Sequence, residues 1–394
     1  MLIKEKLDQA VAVLNEIGID CWLTFVRETI EMMDPAMHFV AGRDVVWGAV
    51  FLVHNSGRKV AIVGQGDHLD FVASGLYDDV VTYTQSLAEP LCQLLQDLDP
   101  GSIAINYAVD NPAADGLTLG MYKRLKGYLE GTPYPERFVS AEPVISRVRG
   151  RKTPEELRRM KAAAVETLDM FGILTQCIQP GWTLRDISEF MHNLMRERGV
   201  GHAWSYEGDP GITSGDMPEG HGTPGDIPIQ PGHVLRLDFG IKKDGYCSDL
   251  QRTWYLLKAG ETTAPPEVEA AFAVVREGIE TAAAMLKPGV LGWKVDEAVR
   301  SVLRRHGYPE YPHALGHQVG IWAHDGGSIL GPRWERYGEA PYQPVEKDQV
   351  FTLEFSIQTP YGHVSQEDMV VVTERGCQYV VEPQQDLWLL RFGH

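Results

Sequence analysis

Two acidic hairpins constrain this chain more than any other feature. One reads VLRLDFGIKKDGYCSDLQRT, residues 234–253, and the other VFTLEFSIQTPYGHVSQEDMV, residues 350–370. Each begins with an alternating apolar strand that carries an acid, Asp238 or Glu354. Each adds a second acid after a turn, Asp249 or Glu367. Burying an unpaired carboxylate is costly, so apolar strands do not carry one without a partner. The two strand acids lie 116 residues apart, which suggests one site built from both halves of a duplicated domain. Four converging carboxylates cannot all ionise without a cation, so the pattern points to metal.

The spacing supports that chemistry. Residues two apart on a strand share a face, and so do residues opposite each other in a hairpin. With Lys243 and Asp244 as the tip of the first turn, residue 242 faces 245 and Asp238 faces Asp249. In the second hairpin the midpoint between Glu354 and Glu367 falls at Pro360-Tyr361, with Gly362 available for positive φ. Oxygen donors favour hard ions such as Mn²⁺. A fifth donor stands in PHALGHQVGIWAHD, where Gly316 and Gly320 flank His317 and let the backbone pack close. One imidazole with four carboxylates suits a paired-metal hydrolytic centre.

Bulk properties narrow the alternatives. With 54 acids against 36 bases the net charge is −18, unsuited to nucleic acid or to an anionic membrane. The five cysteines, Cys21, Cys92, Cys177, Cys247 and Cys377, are scattered and form no C-x-x-C pair. They read as reduced thiols, without a zinc ribbon. No segment has a signal-peptide pattern or membrane-spanning length, so a cytoplasmic location is expected.

A length of 394 residues suits two domains. In the first, a helix over residues 1–20 precedes a strand at 20–26. Two apolar runs flank Asn55-Ser56-Gly57 as a hairpin, a helix spans 86–98, a strand 101–107 and a helix 121–131. The boundary falls near 145–153, where Thr153-Pro154-Glu155-Glu156 starts a capped helix. Beyond it each half supplies helices and then a hairpin. Gln179-Pro180-Gly181-Trp182 and Lys287-Pro288-Gly289-Val290 mark the same helix-to-helix break in each half. Residues 207–232 form a long Gly/Pro-rich loop.

At these residues the chain resembles the pita-bread metallopeptidases: methionine aminopeptidase, aminopeptidase P and prolidase. The resemblance implies an α+β fold, with a creatinase-like N-terminal domain over 1–148 and a pita-bread catalytic domain over 149–394. It assigns the metal ligands to Asp238, Asp249, His317, Glu354 and Glu367, with Asp249 and Glu367 bridging two divalent ions. Mn²⁺ is expected first, with Co²⁺ or Zn²⁺ as substitutes. GHGTPGD at 220–226 resembles a prolidase stretch and makes His221 a catalytic and substrate-side histidine. His324 takes a similar role, and His313 lines the substrate pocket. Glu354 is expected to accept a proton as well as bind metal.

The resemblance implies hydrolysis of Xaa-Pro bonds at the N-terminus of short peptides by a metal-bridging hydroxide. It also implies a homodimer, without nucleic-acid or membrane partners. Several neighbours depart from the family pattern. His317-Gln318-Val319-Gly320 stands for H-G-I-G, Leu353-Glu354-Phe355-Ser356 for L-E-P-G, and Asp216 falls within a usual S-G-x-N. Ser365 stands where prolidases and aminopeptidases P commonly have Arg. Two rival readings follow: a metal-dependent small-molecule hydrolase or lyase on the same fold, and a non-catalytic binding relative. Trp204, Tyr206, Trp322 and Trp334 are candidate pocket aromatics, Trp322 foremost because it lies between His317 and His324.

Overall fold

A computed structural model of the protein describes residues 2–218 and 223–392. It divides into two compact units, Met1–Thr153 and Pro154–His394.

The first unit runs α1 (Leu2–Ile17), β1 (Cys21–Val26), α2 (Met37–Val40), β2 (Ala49–His54), β3 (Lys59–Gly64), α3 (His68–Ser74), β4 (Asp79–Tyr83), α4 (Ala88–Leu98), β5 (Ile103–Ile105), α5 (Leu119–Tyr128), β6 (Phe138–Ser140) and α6 (Glu142–Gly150). Its sheet has the order β4-β3-β2-β1-β5-β6. The central strand β1 is buried along its whole length, which is why CWLTFV reads as a continuous run rather than an alternation. The expected hairpin is present: Gly57 takes φ +98° and its N–H donates to the His54 carbonyl at 2.9 Å. α4 and α5 supply Leu91, Leu95 and Leu125 to the core on this sheet.

The second unit opens with α7 (Pro154–Cys177) and α8 (Leu184–Arg198). The short strands β7 (Gly201–His202) and β8 (Gly211–Ser214) follow. The first hairpin is β9 (Val234–Phe239), β10 (Ile241–Lys243), β11 (Tyr246–Cys247) and β12 (Leu250–Leu256). Then come α9 (Pro266–Met285), α10 (Gly292–Arg305), and the second hairpin, β13 (Val350–Thr359) with β14 (Gly362–Val372). β15 (Cys377–Tyr379) and β16 (Trp388–Leu390) add to β14 and β12. The main sheet reads β13-β14-β12-β9-β8, so strands of both halves share one surface.

Helix punctuation follows the sequence. Thr183 and Asp186 form a reciprocal capping box on α8, which ends at Gly199 in the left-handed region. Gly181 and Gly289, the matched positions of the two Pro-Gly breaks, take φ +83° and +87°. Strand alternation decides what faces where. Phe351, Leu353, Phe355 and Ile357 of β13 pack into the core with Val275 and Ile279 of α9 and Val299 of α10. Glu354, Ser356 and Gln358 therefore turn to the opposite, more open face.

Candidate metal centre

Register places the acids in a single row. Glu354 pairs with Glu367, Glu367 with Gln251, Gln251 with Asp238, and Asp238 with Gly211. Five strands contribute one residue each, on one face of the sheet. The second hairpin has the expected register, with Thr359 opposite Gly362 across Pro360-Tyr361.

The first hairpin differs from expectation. Its tip is Asp244-Gly245, with φ of +50° and +83°, so Lys243 faces Tyr246. Two left-handed residues in succession are what a two-residue primed turn requires, and Asp-Gly is its preferred sequence. Moving the tip by one residue moves the register by two. Asp238 therefore faces Gln251, not Asp249. The ladder also breaks beside Asp249. Ser248 Oγ accepts from the Ile241 N–H at 2.9 Å, where a strand carbonyl would ordinarily accept. A Cβ on Gly240 would stand 2.2 Å from the Ser248 carbonyl oxygen, so only glycine fits there. Asp249 leaves the ladder at this point and still reaches the acidic face.

His317 arrives from a connecting segment laid along β13. Thr352 N–H donates to the His317 carbonyl at 2.9 Å, and Glu354 N–H to that of Leu315 at 2.7 Å. A Cβ on Gly316 would lie 1.9 Å from the Thr352 carbonyl oxygen, so glycine is what lets the segment lie this close. The His317 ring then stands with Nε2 3.4 Å from Glu354 Oε1 and 3.8 Å from Asp249 Oδ2.

Among the described residues one group of metal-ligating side chains converges: donor atoms of Asp249, His317 and Glu367 lie within 4.8 Å of one another. Glu354 adjoins this group through His317. Asp238 stands beyond Gln251, whose amide donates to Glu354 Oε2 at 3.0 Å and Asp238 Oδ2 at 3.4 Å. Burial pushes the carboxyls of Asp249 and Glu367 well above the usual range, and the neighbouring acids push them further. Burial alone would also raise Glu354. The hydrogen bond and charge of His317, with His313 and Arg236 behind it, instead bring it down to about 2. Oxygen donors plus one imidazole, crowded enough to resist ionisation, match what a hard divalent cation neutralises.

Two supports were not foreseen in the sequence. Arg236, two residues before Asp238 on the same face, donates from Nη2 to Asp238 Oδ2 at 3.2 Å and from Nε to Gln251 Oε1 at 3.1 Å. A second charge at i−2 in an apolar run was the available signal. On the reverse face Arg252 and Asp368 form a fully buried ion pair at 3.0 Å. Arg252 Nη1 also donates to the carbonyls of Gln251 and Glu367, at 2.8 and 2.9 Å. It thereby ties β12 to β14 beneath the acid row. The doublet Glu367-Asp368 thus sends one acid to each face.

The other candidates divide. The His324 ring lies edge-on to His317, centroids 4.2 Å apart. The His313 ring packs at a tilt against Tyr311, and the His313 carbonyl accepts from Arg300 Nη2 at 2.7 Å. His221 lies outside the described residues. Trp322 is about half exposed and carries Lys242 Nζ 3.8 Å above its ring. Trp334 stacks with Tyr337 and lines a separate cavity of about 440 Å³ beside Arg300 and Trp293. Trp204 donates to the Gly208 carbonyl, and Tyr206 packs on His192.

The model of Metallopeptidase family M24 matches residues 155–374, which span the helices and both hairpins. The chain belongs to metallopeptidase family M24. Among its relatives, the putative dipeptidase YkvY of Bacillus subtilis (strain 168) is 30% identical over 281 residues, covering 70% of this chain and 71% of that one. The Xaa-Pro dipeptidase of Lactobacillus helveticus is 28% identical over 280 residues, with the same shares. In three dimensions the chain resembles the Xaa-Pro dipeptidase from Bacillus anthracis, at a TM-score of 0.74 and 22% identity, over 98% of this chain and 100% of that one. It likewise resembles the X-Pro aminopeptidase from Thermotoga maritima MSB8, at 0.70 and 23%, over 97% and 99%. The fold is thus the pita-bread fold preceded by an N-terminal domain, and the M24 chain is a metallopeptidase.

Proposed function

We propose that this M24 chain hydrolyses the Xaa-Pro bond at the N-terminus of short peptides, as a dipeptidase or an aminopeptidase. The observation that carries the reading is the convergence of Asp249, His317 and Glu367, within 4.8 Å, beside Glu354 and Asp238. These five residues would hold two divalent ions, Mn²⁺ first, given the preponderance of carboxylate oxygen. Bound there, the ions would acidify a water and polarise the scissile carbonyl. The names of the relatives from L. helveticus and B. anthracis support proline in the second position.

The chain's own groups divide the remaining work. Glu354, oriented by Gln251, would accept a proton as well as bind metal. His324, packed on His317, would pass a proton to the leaving imino nitrogen. His313 is held by Tyr311 and Arg300 and would line the substrate side. His221 would complete that wall.

The test is a cleavage assay of Ala-Pro against Ala-Pro-Yaa under Mn²⁺ titration. Metal-dependent release of alanine from either supports the reading, and inertness toward both overturns it. The second reading, a small-molecule hydrolase or lyase, is favoured by Ser356, Ser365 and Asp216, and a non-peptide panel in the same assay would reveal it. Retention of all five candidate ligands argues against a binding-only relative, and binding of less than one ion per chain after Mn²⁺ loading would restore that possibility.

We also propose a cytoplasmic homodimer. All five cysteines are free thiols, and among the described residues no helix is long and apolar enough to cross a membrane. Light scattering on the eluting protein tests the dimer, and a monomeric mass would refute it.

A further inference from the structure

A second row of paired residues runs beside the acids. Two positions along from the acids, Ser356 pairs with Ser365 and Arg236 with both Thr253 and Thr213. Thr253 Oγ1 donates to the Ser365 carbonyl at 2.7 Å and accepts from the Ser365 N–H at 3.2 Å, which closes the row between β12 and β14. Four small hydroxyl residues thus share a row with one arginine.

The guanidinium fills the space they leave. Arg236 is 5% exposed. Its Nε reaches Ser365 Oγ at 3.1 Å as well as Gln251 Oε1 at 3.1 Å, and its Nη2 reaches Asp238 Oδ2 at 3.2 Å. Gln251, with its carbonyl oxygen fixed by Arg236, turns its amide nitrogen toward Glu354. One cation from β9 therefore sets the orientation of a candidate ligand on its own strand and, through Gln251, of another on β13. A longer side chain at 365 would begin where the guanidinium of Arg236 ends.

We propose that Arg236 is a positioning residue of the metal centre, its guanidinium delivered from β9 to the Ser365 hydroxyl and to Asp238. Ser365 is then small because the guanidinium of Arg236 reaches its hydroxyl. This rests on the metal-centre reading above. If wild-type protein binds no Mn²⁺, that reading fails. If wild-type binds it and the Arg236 variants bind it equally well, the positioning inference alone fails.

The sign of the effect separates positioning from simple charge. A cation that only repelled metal would, on removal, leave Mn²⁺ bound more tightly. Loss of orientation weakens binding, by about 10–100-fold for an outer partner of this kind. Calorimetric Mn²⁺ titration of Arg236→Met is expected to give a Kd raised by that factor. Arg236→Lys keeps the charge but loses the planar fork, and is expected to weaken binding as well. The double variant Arg236→Ser with Ser365→Arg is expected to recover affinity to within a few-fold of wild type. An unchanged or tighter Kd in Arg236→Met, or a double variant no better than Arg236→Ser alone, overturns the proposal. If Arg236→Met does not fold, as judged by far-UV circular dichroism, Arg236→Lys and the double variant decide the matter.

Discussion

The two hairpins of the second unit start from one pattern and finish differently. The second is an unbroken ladder of ten pairs from Val350–Val371 to Thr359–Gly362, and its acids Glu354 and Glu367 face each other. The first is interrupted at Gly240 and at Ser248-Asp249, and its acids do not face each other. An unbroken ladder fixes both acids on the sheet. A broken one frees Asp249 to approach His317 and Glu367, while Gln251 takes the place opposite Asp238. Duplication supplies the acids, and asymmetry between the copies brings them together.

The largest expected effect tests whether the displaced acid matters as much as the paired one. Asp249→Ala and Glu367→Ala should each lower Mn²⁺-dependent peptidase rate by at least about a thousandfold, equivalent to roughly 4 kcal/mol. Elemental analysis should find metal lost along with turnover. Full activity in Asp249→Ala would end the comparison, because the broken ladder would then serve nothing.

Next is the brace that holds the two hairpins in register. Arg252→Met strands the fully buried Asp368, and urea denaturation should show a loss of about 3–5 kcal/mol. A loss below 1 kcal/mol would mean that the junction holds without it.

The first unit adds a pH dependence of its own to that of the hairpins. There the buried Asp34 carboxyl is pushed up to about 6 by burial, against hydrogen bonds from Ala36 and Asn106. Its folded pKa lies above the unfolded value. Its contribution is therefore full below about pH 4 and lost as pH rises through about 6. Asp34→Asn removes the titrating group and should flatten that decline in urea denaturation followed against pH. A decline that persists unchanged belongs to other groups.

The smallest effects probe the break itself. Gly240→Ala forces a methyl against the Ser248 carbonyl and should cost about 2 kcal/mol, with metal affinity falling in parallel. Gln358→Ala, on the exposed end of the unbroken ladder, should change stability by less than about 0.5 kcal/mol. Equal costs at the two sites in thermal melts would erase the distinction between the hairpins.

What could be read in advance follows from the same contrast. The Pro-Gly breaks, the helix caps and the second hairpin obey local rules, and their sequence specifies them. Pro360 and Gly362 locate the second turn without help from elsewhere. The first register was misplaced because Lys243-Asp244 and Asp244-Gly245 are adjacent candidates for the tip, and only the demand for two left-handed residues favours the latter. Gly316 signalled a close approach, and a Cβ there would indeed meet the Thr352 carbonyl. Arg236, Gln251 and the Arg252–Asp368 pair were harder to foresee. Their significance depends on which residue lies opposite on a strand more than 100 positions away.

The junction between the halves carries a last implication. β12 and β14 meet at one ladder pair, Gln251 with Glu367, in contrast to the ten pairs within the second hairpin. An ion held between Asp249 and Glu367 would cross that seam like a rivet through two overlapping plates. Loading with metal should then slow amide hydrogen exchange at the seam far more than inside either hairpin. The rate at which the seam breathes would set how readily the protein gives its metal up.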